Sequence, residues 1–317
     1  MKTKTNKKRL ANNYTKKQKQ KLTDQILHLE KADILKDFSH LREIGCDLKG
    51  KEMSRVGNDT VNNFTLEERL DTVGNKGVNF FDVWKNHTKL VKQTPFLQQM
   101  VNYYKNHKIN ISEIKIWVRI FNLYYGSINI FKPLTAMEIY CKYKPKSVLD
   151  FTMGWGGRLV GACALNIPKY TGIDYNDRLI IPYKRLSKFM QENSKTKIKT
   201  YFQDALTVDY SKINYDMVLT SPPYYNIEIY GGQENTTQKQ FTKDEWDTQF
   251  YIPIIQKTFK YLKKGGHYCL NIPLEVYERV AKKILGKPNE KILLVKSKRH
   301  KEEKEKYHEY IYVWVRR

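Results

Sequence analysis

The chain has 317 residues, a hydrophobic fraction of 40% and a formal net charge of +24, which suits one substantial folded domain with a smaller addition. Such an excess of lysine and arginine favours a polyanionic partner, because each phosphate contact releases condensed counterions. A compositional drift toward lysine, asparagine, isoleucine and tyrosine would also explain the charge. The chain contains no apolar run near the roughly 20 residues that a helix needs to cross a bilayer, so we expect no membrane span.

The N-terminal part of the chain is predicted to be basic and then helical. Residues 1–21 hold nine lysines and arginines and no acid, which is typical of a flexible basic arm. A helical period of apolar residues runs from Leu22 to about Gly45. Residues 47–78 are polar and contain four glycines, so they predict a loop-rich connection. A helical, aromatic-rich stretch follows over about 80–127, and most of its aromatic side chains are expected to be in a core.

From about residue 128 the pattern changes to alternating strands and helices. This alternation predicts an α/β, Rossmann-like fold: a parallel sheet with crossover helices, closed by an antiparallel terminal hairpin. The predicted strands are 147–150, 170–174, 198–202, 217–220 and 267–272, the hairpin pairs 292–295 with 310–315, and the predicted helices are 158–165, 177–192 and 244–263.

The cysteines and histidines show no sign of a metal site. The four cysteines form no C-x-x-C pair, and the seven histidines lack a zinc-ligand spacing. We expect no secretory leader, so the cysteines are predicted to be reduced, mostly buried thiols of an intracellular, cytoplasmic protein. They are Cys46, Cys141, Cys163 and Cys269.

A glycine-containing loop follows the first predicted strand and opens a helix. It reads D-F-T-M-G-W-G-G-R from Asp150 to Arg158, and this position in such sheets commonly binds a nucleotide-like ligand. Gly154 and Gly156 allow positive φ and a close approach of the backbone, although a structural tight turn would also use them. The third glycine of a dinucleotide fingerprint is replaced by Leu159, so the pattern indicates an adenosine-like ligand and not clearly NAD.

Two aspartates end the next two predicted strands. Asp174 lies 24 residues after Asp150, the distance at which an acid accepts hydrogen bonds from ribose hydroxyls. Asp204 follows the third strand and is placed to accept from an adenine amino group. Each of the two could instead be a helix cap.

The segment T-S-P-P-Y follows the fourth predicted strand directly. Two prolines stiffen the loop and remove two N–H groups, which leaves carbonyl groups free to accept. The Ser221 hydroxyl and the Pro222 carbonyl are then suited to hold an exocyclic amino group, while the Tyr224 ring stacks on the base. Its place after the glycine loop argues against an ordinary turn.

At these residues the sequence resembles the amino-methyltransferases of DNA, whose hallmarks are an F-x-G-x-G cofactor loop and a [D/N/S]-P-P-[Y/F/W] catalytic loop. The G-W-G-G-R form looks like that of phage and large-virus members, which implies a location inside the host cell. The resemblance also implies a part in restriction–modification, although the sequence does not identify a partner nuclease. The segment F-K-P-L from Phe131 to Leu134 resembles the family's segment that contacts the methionine moiety of the cofactor. The resemblance covers about residues 125–317 and does not reach the first 120 residues.

The resemblance implies a seven-stranded sheet with a reversed last strand, S-adenosylmethionine as methyl donor, and a target base flipped out of double-stranded DNA. It makes 125–317 the methyltransferase domain, and 22–124 a helical extension that is a candidate for DNA recognition. The implied catalytic residues are Ser221, Pro222, Pro223 and Tyr224. The implied cofactor contacts are Phe131, Lys132, Pro133, Asp150, Thr152, Met153, Gly154, Gly156, Asp174, Tyr175, Asp204, Ala205 and Ser221.

The residues also indicate which chemistry to expect. Hydrogen bonds to the amino group free the nitrogen lone pair for direct attack on the sulfonium methyl, with positioning supplying most of the rate. Methylation at cytosine C5 would need a cysteine nucleophile, usually in a Pro-Cys pair, and none of the four cysteines follows a proline.

The sequence leaves the target base and the class of nucleic acid open. Serine at the first catalytic position favours N4 of cytosine over N6 of adenine, because adenine enzymes more often carry aspartate or asparagine there. An RNA or tRNA base methyltransferase would also fit these motifs, as would a non-catalytic nucleic-acid-binding protein with this fold. The polar loop 225–244 is a second candidate for DNA recognition, or a mobile lid.

Overall fold

The computed structural model describes residues 12–51, 53–74, 76–107, 110–126, 128–225, 241–294 and 309–317. These residues divide into two compact units. One contains residues 12–28 together with the described part of 66–129, and the other contains the rest. The division differs from the predicted domain boundary at residue 125, because residues 29–65 belong to the same unit as the sheet.

The described residues ahead of the sheet are mostly helical. The helices are α1 (Lys16–Ile26), α2 (Lys31–Ile44), α3 (Asn58–Leu70), α4 (Phe80–Gln93), α5 (Pro95–Asn106), α6 (Glu113–Phe121) with a π-helical turn at Asn122–Gly126, and α7 (Pro133–Tyr143). The first unit has its own apolar core, in which Trp117 of α6 is 1% exposed. The predicted aromatic helical stretch and the core position of most of its aromatic side chains are therefore confirmed.

The predicted flexible arm over 1–21 differs in part from the structure. Residues 16–21 of the predicted flexible arm are the first part of α1, whose start is stabilised by a capping box between Thr15 and Gln18. Lys19 of this helix also donates to the Asp71 carboxylate at 2.7 Å. Residues 1–11 lie outside the described residues.

The predicted loop over 47–78 contains the 13-residue helix α3. Its start is held by Asp37, whose carboxylate accepts from the N–H of Gly57 at 2.9 Å and of Thr60 at 2.8 Å. The buried side of α3 includes Thr60 and Thr65, both fully buried. Polar threonines at buried positions hide the apolar period by which a helix is recognised in sequence.

The sheet has seven strands in the order β3-β2-β1-β4-β5-β7-β6. They are β1 (Ser147–Asp150), β2 (Lys169–Asp174), β3 (Lys197–Phe202), β4 (Met217–Thr220), β5 (His267–Ile272), β6 (Glu290–Leu294) and β7 (Glu309–Val315). Strands β1 to β5 are mutually parallel, whereas β7 pairs antiparallel with both β5 and β6. The α/β class, the predicted strands and the single reversed strand are confirmed, and residue 295 of the predicted hairpin lies outside the described residues.

The remaining described helices are α8 (Gly157–Ala164), α9 (Ile180–Asn193), α10 (Lys243–Trp246), α11 (Ile252–Tyr261), α12 (Leu274–Val276) and α13 (Lys282–Leu285). A π-helical turn at Asp247–Tyr251 joins α10 to α11, so the predicted helix over 244–263 is one continuous segment. The sequence patterns did not indicate α7 or the segment from α12 to α13.

The strand order identifies one point at the edge of the sheet where ligands bind in folds of this kind. Strand β1 pairs with β2 on one side and with β4 on the other, so the chain reverses its direction of winding there. In open α/β sheets, ligands bind beyond the carboxyl ends of the strands at such a switch point. The loops that follow β1 and β4 both lie at this edge.

The cysteine prediction was half wrong. Cys46 and Cys141 form a disulfide, with Cα atoms 5.6 Å apart, whereas Cys163 and Cys269 are buried free thiols as expected. Gly45 ends α2 with φ +52°, and the chain then turns so that Cys46 reaches α7. The two cysteines are 95 residues apart in sequence, so this pairing has no local signal.

The helices in the described ranges include none that is both long enough and apolar enough to span a membrane. The same ranges hold no group of three histidine, cysteine, aspartate or glutamate side chains arranged to bind a metal ion.

Candidate functional site

Asp150, at the end of β1, is the buried anchor of the site. Its carboxylate accepts from Arg158 Nε at 2.7 Å, from the Tyr170 hydroxyl at 2.6 Å and from Thr220 Oγ1 at 2.9 Å. Burial lowers the pKa of Arg158, but the adjacent Asp150 carboxylate outweighs this effect and raises the pKa above its usual value. Asp150 therefore ties β1 to α8, β2 and β4. Its side chain is fully buried, which makes it a support of the predicted cofactor loop.

Thr152 and Met153 continue the loop with different roles. Thr152 Oγ1 lies 2.6 Å from Thr220 Oγ1, and its carbonyl accepts from Arg158. Met153 is 1% exposed, and a Cβ atom added to Gly172 would lie 2.5 Å from its sulfur. The Met153 side chain thus packs against the sheet, and the predicted contact between this side chain and the cofactor is not supported.

The glycines of this loop have distinct structural reasons. Gly154 has φ +54° and Gly156 has φ +94°, conformations that L side chains rarely adopt. Gly156 is also the N-cap of α8. Gly157 is constrained by space, since a Cβ atom there would lie 1.8 Å from the Phe131 carbonyl oxygen. Sequence reasoning did not identify Gly157 as a site residue, although its third place in a glycine cluster was a signal.

The F-K-P-L segment lies against this loop, as the close approach of Phe131 to Gly157 shows. The Arg158 guanidinium lies 5.1 Å from the centre of the Phe131 ring. Pro133 begins α7, and burial lowers the pKa of Lys132, with a further contribution from Arg55. The structure therefore brings Phe131, Lys132 and Pro133 next to the predicted cofactor loop.

Replacing Gly157 with alanine is expected to lower the free energy of unfolding by about 1–3 kcal/mol, the usual cost of overpacking, and to weaken cofactor binding. The added methyl must displace the backbone of Phe131, which is 1.8 Å from its position. Gly74→Ala is the matched control, because the nearest atom there is 4.0 Å away. Urea unfolding and calorimetric titration measure both effects, and equal stability of the two variants would contradict the packing described.

Asp174 ends β2 and faces the glycine loop. Its two carboxylate oxygens accept from Gly154 N at 2.8 Å and from Asn176 N at 2.9 Å. A carboxylate has about four acceptor positions, so two remain for ligand hydroxyls. Burial raises the pKa of Asp174 to about 6, although the two N–H groups act in the opposite direction. The ring of the next residue, Tyr175, is 47% exposed and available to a flat ligand.

Asp204 is a cap in this structure. One of its oxygens accepts from Leu206 N at 2.9 Å and so caps the 3-10 turn Ala205–Thr207. The other carboxylate oxygen is not used by this cap. Ala205 is 7% exposed, and its carbonyl accepts from the Tyr210 hydroxyl at 2.8 Å. This carbonyl is therefore already hydrogen-bonded within the protein, and the small side chain packs in the core.

The S-P-P-Y segment follows β4 and is held by a residue that sequence reasoning missed. The Ser221 hydroxyl and the Tyr224 hydroxyl both donate to Asn271 Oδ1, each at 3.0 Å. Asn271 lies on β5, whose Leu270 pairs with Thr220 of β4. An asparagine inside an apolar strand was the available signal, because polar residues in buried strands are uncommon.

The end of this segment is held by a second set of contacts. The Pro223 carbonyl accepts from the Tyr251 hydroxyl. Tyr225 has φ +54° and donates its hydroxyl to Asp247 at 3.0 Å. Arg279 donates to the same Asp247 carboxylate at 2.8 Å. Of the polar loop 225–244, residues 226–240 lie outside the described residues.

Comparison with known proteins gives a match in sequence. The chain is 38% identical over 72 residues to the type II methyltransferase M.MjaVI of Methanocaldococcus jannaschii, a match that covers 23% of this chain and 34% of that protein. The chain thus spans about a third of the length of this relative. No family model matches.

Solved structures of methyltransferases are similar to this chain. They include a putative class I S-adenosylmethionine-dependent methyltransferase from Listeria monocytogenes, with 15% identity, a TM-score of 0.40 and coverage of 89% of this chain and 87% of that one. TrmN from Thermus thermophilus has 14% identity, a TM-score of 0.39 and coverage of 58% and 49%. The strand order with its reversed β7 shows, independently of these low scores, that the chain has the Rossmann-like fold of class I methyltransferases.

Proposed function

We propose that this protein is an S-adenosylmethionine-dependent methyltransferase that modifies the exocyclic amino group of a base in double-stranded DNA, with N4 of cytosine as the preferred target. The contact between the two loops carries this proposal. Thr152 of the glycine loop and Thr220, which directly precedes Ser221, have their hydroxyl oxygens 2.6 Å apart. The loops to which we assign the cofactor and the amino group therefore meet at the switch point of the sheet.

The residues around the glycine loop fit S-adenosylmethionine. Asp174 offers acceptor positions for both ribose hydroxyls, Asp204 offers one for the adenine amino group, and the segment Phe131–Pro133 lies where the methionine moiety would bind. Gly157 leaves no room for a side chain because the Phe131 carbonyl lies against it, which keeps the segment Phe131–Pro133 beside the glycine loop. The cofactor would supply a methyl group activated by its sulfonium.

The S-P-P-Y segment would bind and orient the amino group. Ser221 Oγ and the Pro222 carbonyl accept its two N–H bonds, which favours a pyramidal nitrogen with a free lone pair. The Pro223 carbonyl is already used by Tyr251, which leaves Pro222 as the backbone acceptor. The Tyr224 ring stacks on the flipped base, whose extrusion is needed because a paired base hides its amino group.

Methylation at cytosine C5 has no support among the described residues. That reaction needs a cysteine thiolate as nucleophile. Cys46 and Cys141 are joined in a disulfide, and Cys163 and Cys269 are buried. Burial raises the pKa of Cys163 to about 12 and also raises that of Cys269, so both stay protonated.

A nucleic-acid substrate is supported by the net charge of +24, and DNA in particular by the match to a type II methyltransferase. Expression in a methylation-free bacterial host, followed by mass spectrometry of nucleosides from its DNA and RNA, tests the proposal. We expect N4-methylcytosine in DNA, and at most a few per cent of it with a Ser221→Ala variant. N6-methyladenine in DNA would show that adenine, and not cytosine, is the target base. Methylated RNA bases with unmodified DNA would contradict the proposal.

Cofactor affinity is expected to fall as pH drops through about 6. Ribose hydroxyls donate to the ionised form of Asp174, whose pKa is raised to about 6. Binding therefore favours the ionised state, and each pH unit below 6 costs up to about tenfold in affinity. Titration of Kd between pH 5 and pH 8 measures the effect. An Asp174→Asn variant that kept the same pH dependence would assign it to another group.

Tyr224→Ala is expected to weaken DNA binding by about 1–3 kcal/mol, the usual worth of base stacking on an aromatic ring. Cofactor affinity should stay near normal, because the ring is assigned to the base alone. Tyr224→Phe is the matched control, since it keeps the ring and removes only the hydroxyl that donates to Asn271. Equal losses of DNA and cofactor affinity in Tyr224→Ala would contradict this separation of roles.

A further inference from the structure

Asn271 is a buried polar residue whose side chain makes three hydrogen bonds to described residues, two of them to the S-P-P-Y segment. Its side chain is 4% exposed, within a strand whose neighbours Leu270 and Ile272 are buried and apolar. Its Oδ1 accepts from Ser221 and Tyr224, and its Nδ2 donates to the Tyr310 carbonyl at 3.2 Å. Burying an amide costs free energy unless it is hydrogen-bonded, and here the bonds that offset this cost are directed at the proposed active site.

The Tyr310 carbonyl decides which way the amide of Asn271 faces. Tyr310 lies on β7, next to Ile311, which pairs with Asn271. A carbonyl oxygen accepts hydrogen bonds only, so the NH₂ group must point toward it. The reversed orientation would place two oxygens 3.2 Å apart. The amide oxygen therefore faces both hydroxyls, and each hydroxyl must donate to it.

In this arrangement the hydroxyl proton of Ser221 is donated to Asn271. A serine hydroxyl has one donor and two acceptor positions, and its donor is used by Asn271. What Ser221 presents to a ligand is then acceptor capacity alone. An exocyclic amino group such as that of cytosine presents donors, so Ser221 is matched to it without carrying a charge. The Tyr224 hydroxyl donates to the same Asn271 Oδ1, and this bond restrains the orientation of the Tyr224 ring.

We propose that Asn271 is a positioning residue that makes Ser221 an obligate acceptor for the target amino group and fixes Tyr224 beside it. This inference rests on the proposed methyltransferase function. It assigns to β5 a part of the amino-binding site that the S-P-P-Y segment alone does not contain.

A double-mutant cycle between Asn271 and Ser221 tests the inference. Asn271→Leu is expected to lower kcat at least tenfold, with the Kd for S-adenosylmethionine within about twofold of the wild type. In the Ser221→Ala background, Asn271→Leu should lower kcat by clearly less than it does in the wild type, because the Ser221 hydroxyl is already gone and only the bond with the Tyr224 hydroxyl is left to lose. Losses that multiply in the double variant would overturn the inference.

Thr258→Val is the matched control for loss of a buried hydrogen bond. Thr258 on α11 is fully buried and bonded to the Tyr268 hydroxyl of β5 at 2.6 Å, with no bond to the S-P-P-Y segment among those described. Its effect on kcat, whatever its size, should multiply with that of Ser221→Ala. Coupling of Thr258 to Ser221 as strong as that of Asn271 would reduce Asn271 to a general support of the sheet and overturn the proposal.

Asn271→Asp tests the hydrogen-bond pattern of this residue by its pH dependence. A protonated carboxyl reproduces the amide, since its O–H donates to the Tyr310 carbonyl while its other oxygen accepts from both hydroxyls. Ionisation removes that donor and places a charge against the carbonyl. The variant should therefore recover activity at low pH and lose it as pH rises, with a limb that the wild type lacks. A pH profile parallel to that of the wild type would contradict the proposal.

The wild-type assay separates the two hypotheses. If the wild type transfers no methyl group to nucleic acid, both the proposed function and this inference fail. If the wild type is active and the Asn271 cycle shows multiplying losses, only the inference about Asn271 fails.

Discussion

Replacing Ser221 with alanine is expected to lower kcat by about 10²–10³-fold, the typical cost of removing one preorganised polar contact from a reacting group. The affinity for S-adenosylmethionine should stay within about twofold of the wild type. The reason lies in the contacts of Ser221, whose hydroxyl donates to Asn271 and so presents its lone pairs to the amino group. Alanine removes that acceptor and leaves one N–H bond of the substrate unpaired.

Single-turnover methylation and calorimetry measure the two quantities for this variant. Ser211→Ala is the control, because Ser211 lies on an exposed turn and its hydroxyl bonds only to Asp209 in the described part of the chain. It should behave as the wild type. Wild-type kcat in Ser221→Ala would show that the serine is not part of the amino-binding site, even if methylation itself were confirmed.

Replacing Asp174 with alanine is expected to weaken the binding of S-adenosylmethionine by about 10²-fold or more. Two hydrogen bonds from ribose hydroxyls to a carboxylate are lost, each worth about 1.5–3 kcal/mol. The carboxylate also accepts from Gly154 N at 2.8 Å, so its removal frees the glycine loop as well. Both losses act on the bound state of the cofactor.

Calorimetric titration and circular dichroism separate lost binding from lost folding in this variant. Asp177→Ala removes an exposed carboxylate three residues further on and should bind the cofactor normally. Asp174→Asn keeps one acceptor oxygen and should fall between alanine and the wild type. An unchanged Kd in Asp174→Ala would mean that the ribose site lies elsewhere.

Strand positions and the two loops could be predicted from the sequence because their signals are local. Each short apolar run of the sheet is bounded by polar or glycine residues, and Asp174 and the S-P-P-Y segment follow such runs directly. The carboxyl ends of parallel strands share one edge of a sheet, so placing these loops together needed only the order of the strands. The contact between Thr152 and Thr220 is the result.

The features that the sequence did not reveal depend on tertiary contacts. Asp150 has the same local signal as Asp174, yet three side chains from separate elements enclose it. Helix α3 packs Thr60 and Thr65 inward, which removes its apolar period. The requirement for Gly157 comes from the Phe131 carbonyl, 26 residues earlier in the chain. Asn271 is 50 residues from Ser221, and only the pairing of β4 with β5 brings them together.

The most direct test of the central claim is methyl transfer by the purified protein from labelled S-adenosylmethionine to nucleic acid. Equal masses of unmethylated double-stranded DNA and of unmodified RNA are offered in separate reactions, each with the Ser221→Ala variant beside the wild type. We predict label in DNA, recovered after digestion as a cytosine methylated at N4, and at most a few per cent of it with Ser221→Ala. Binding of S-adenosylmethionine without transfer of label to DNA would contradict the account.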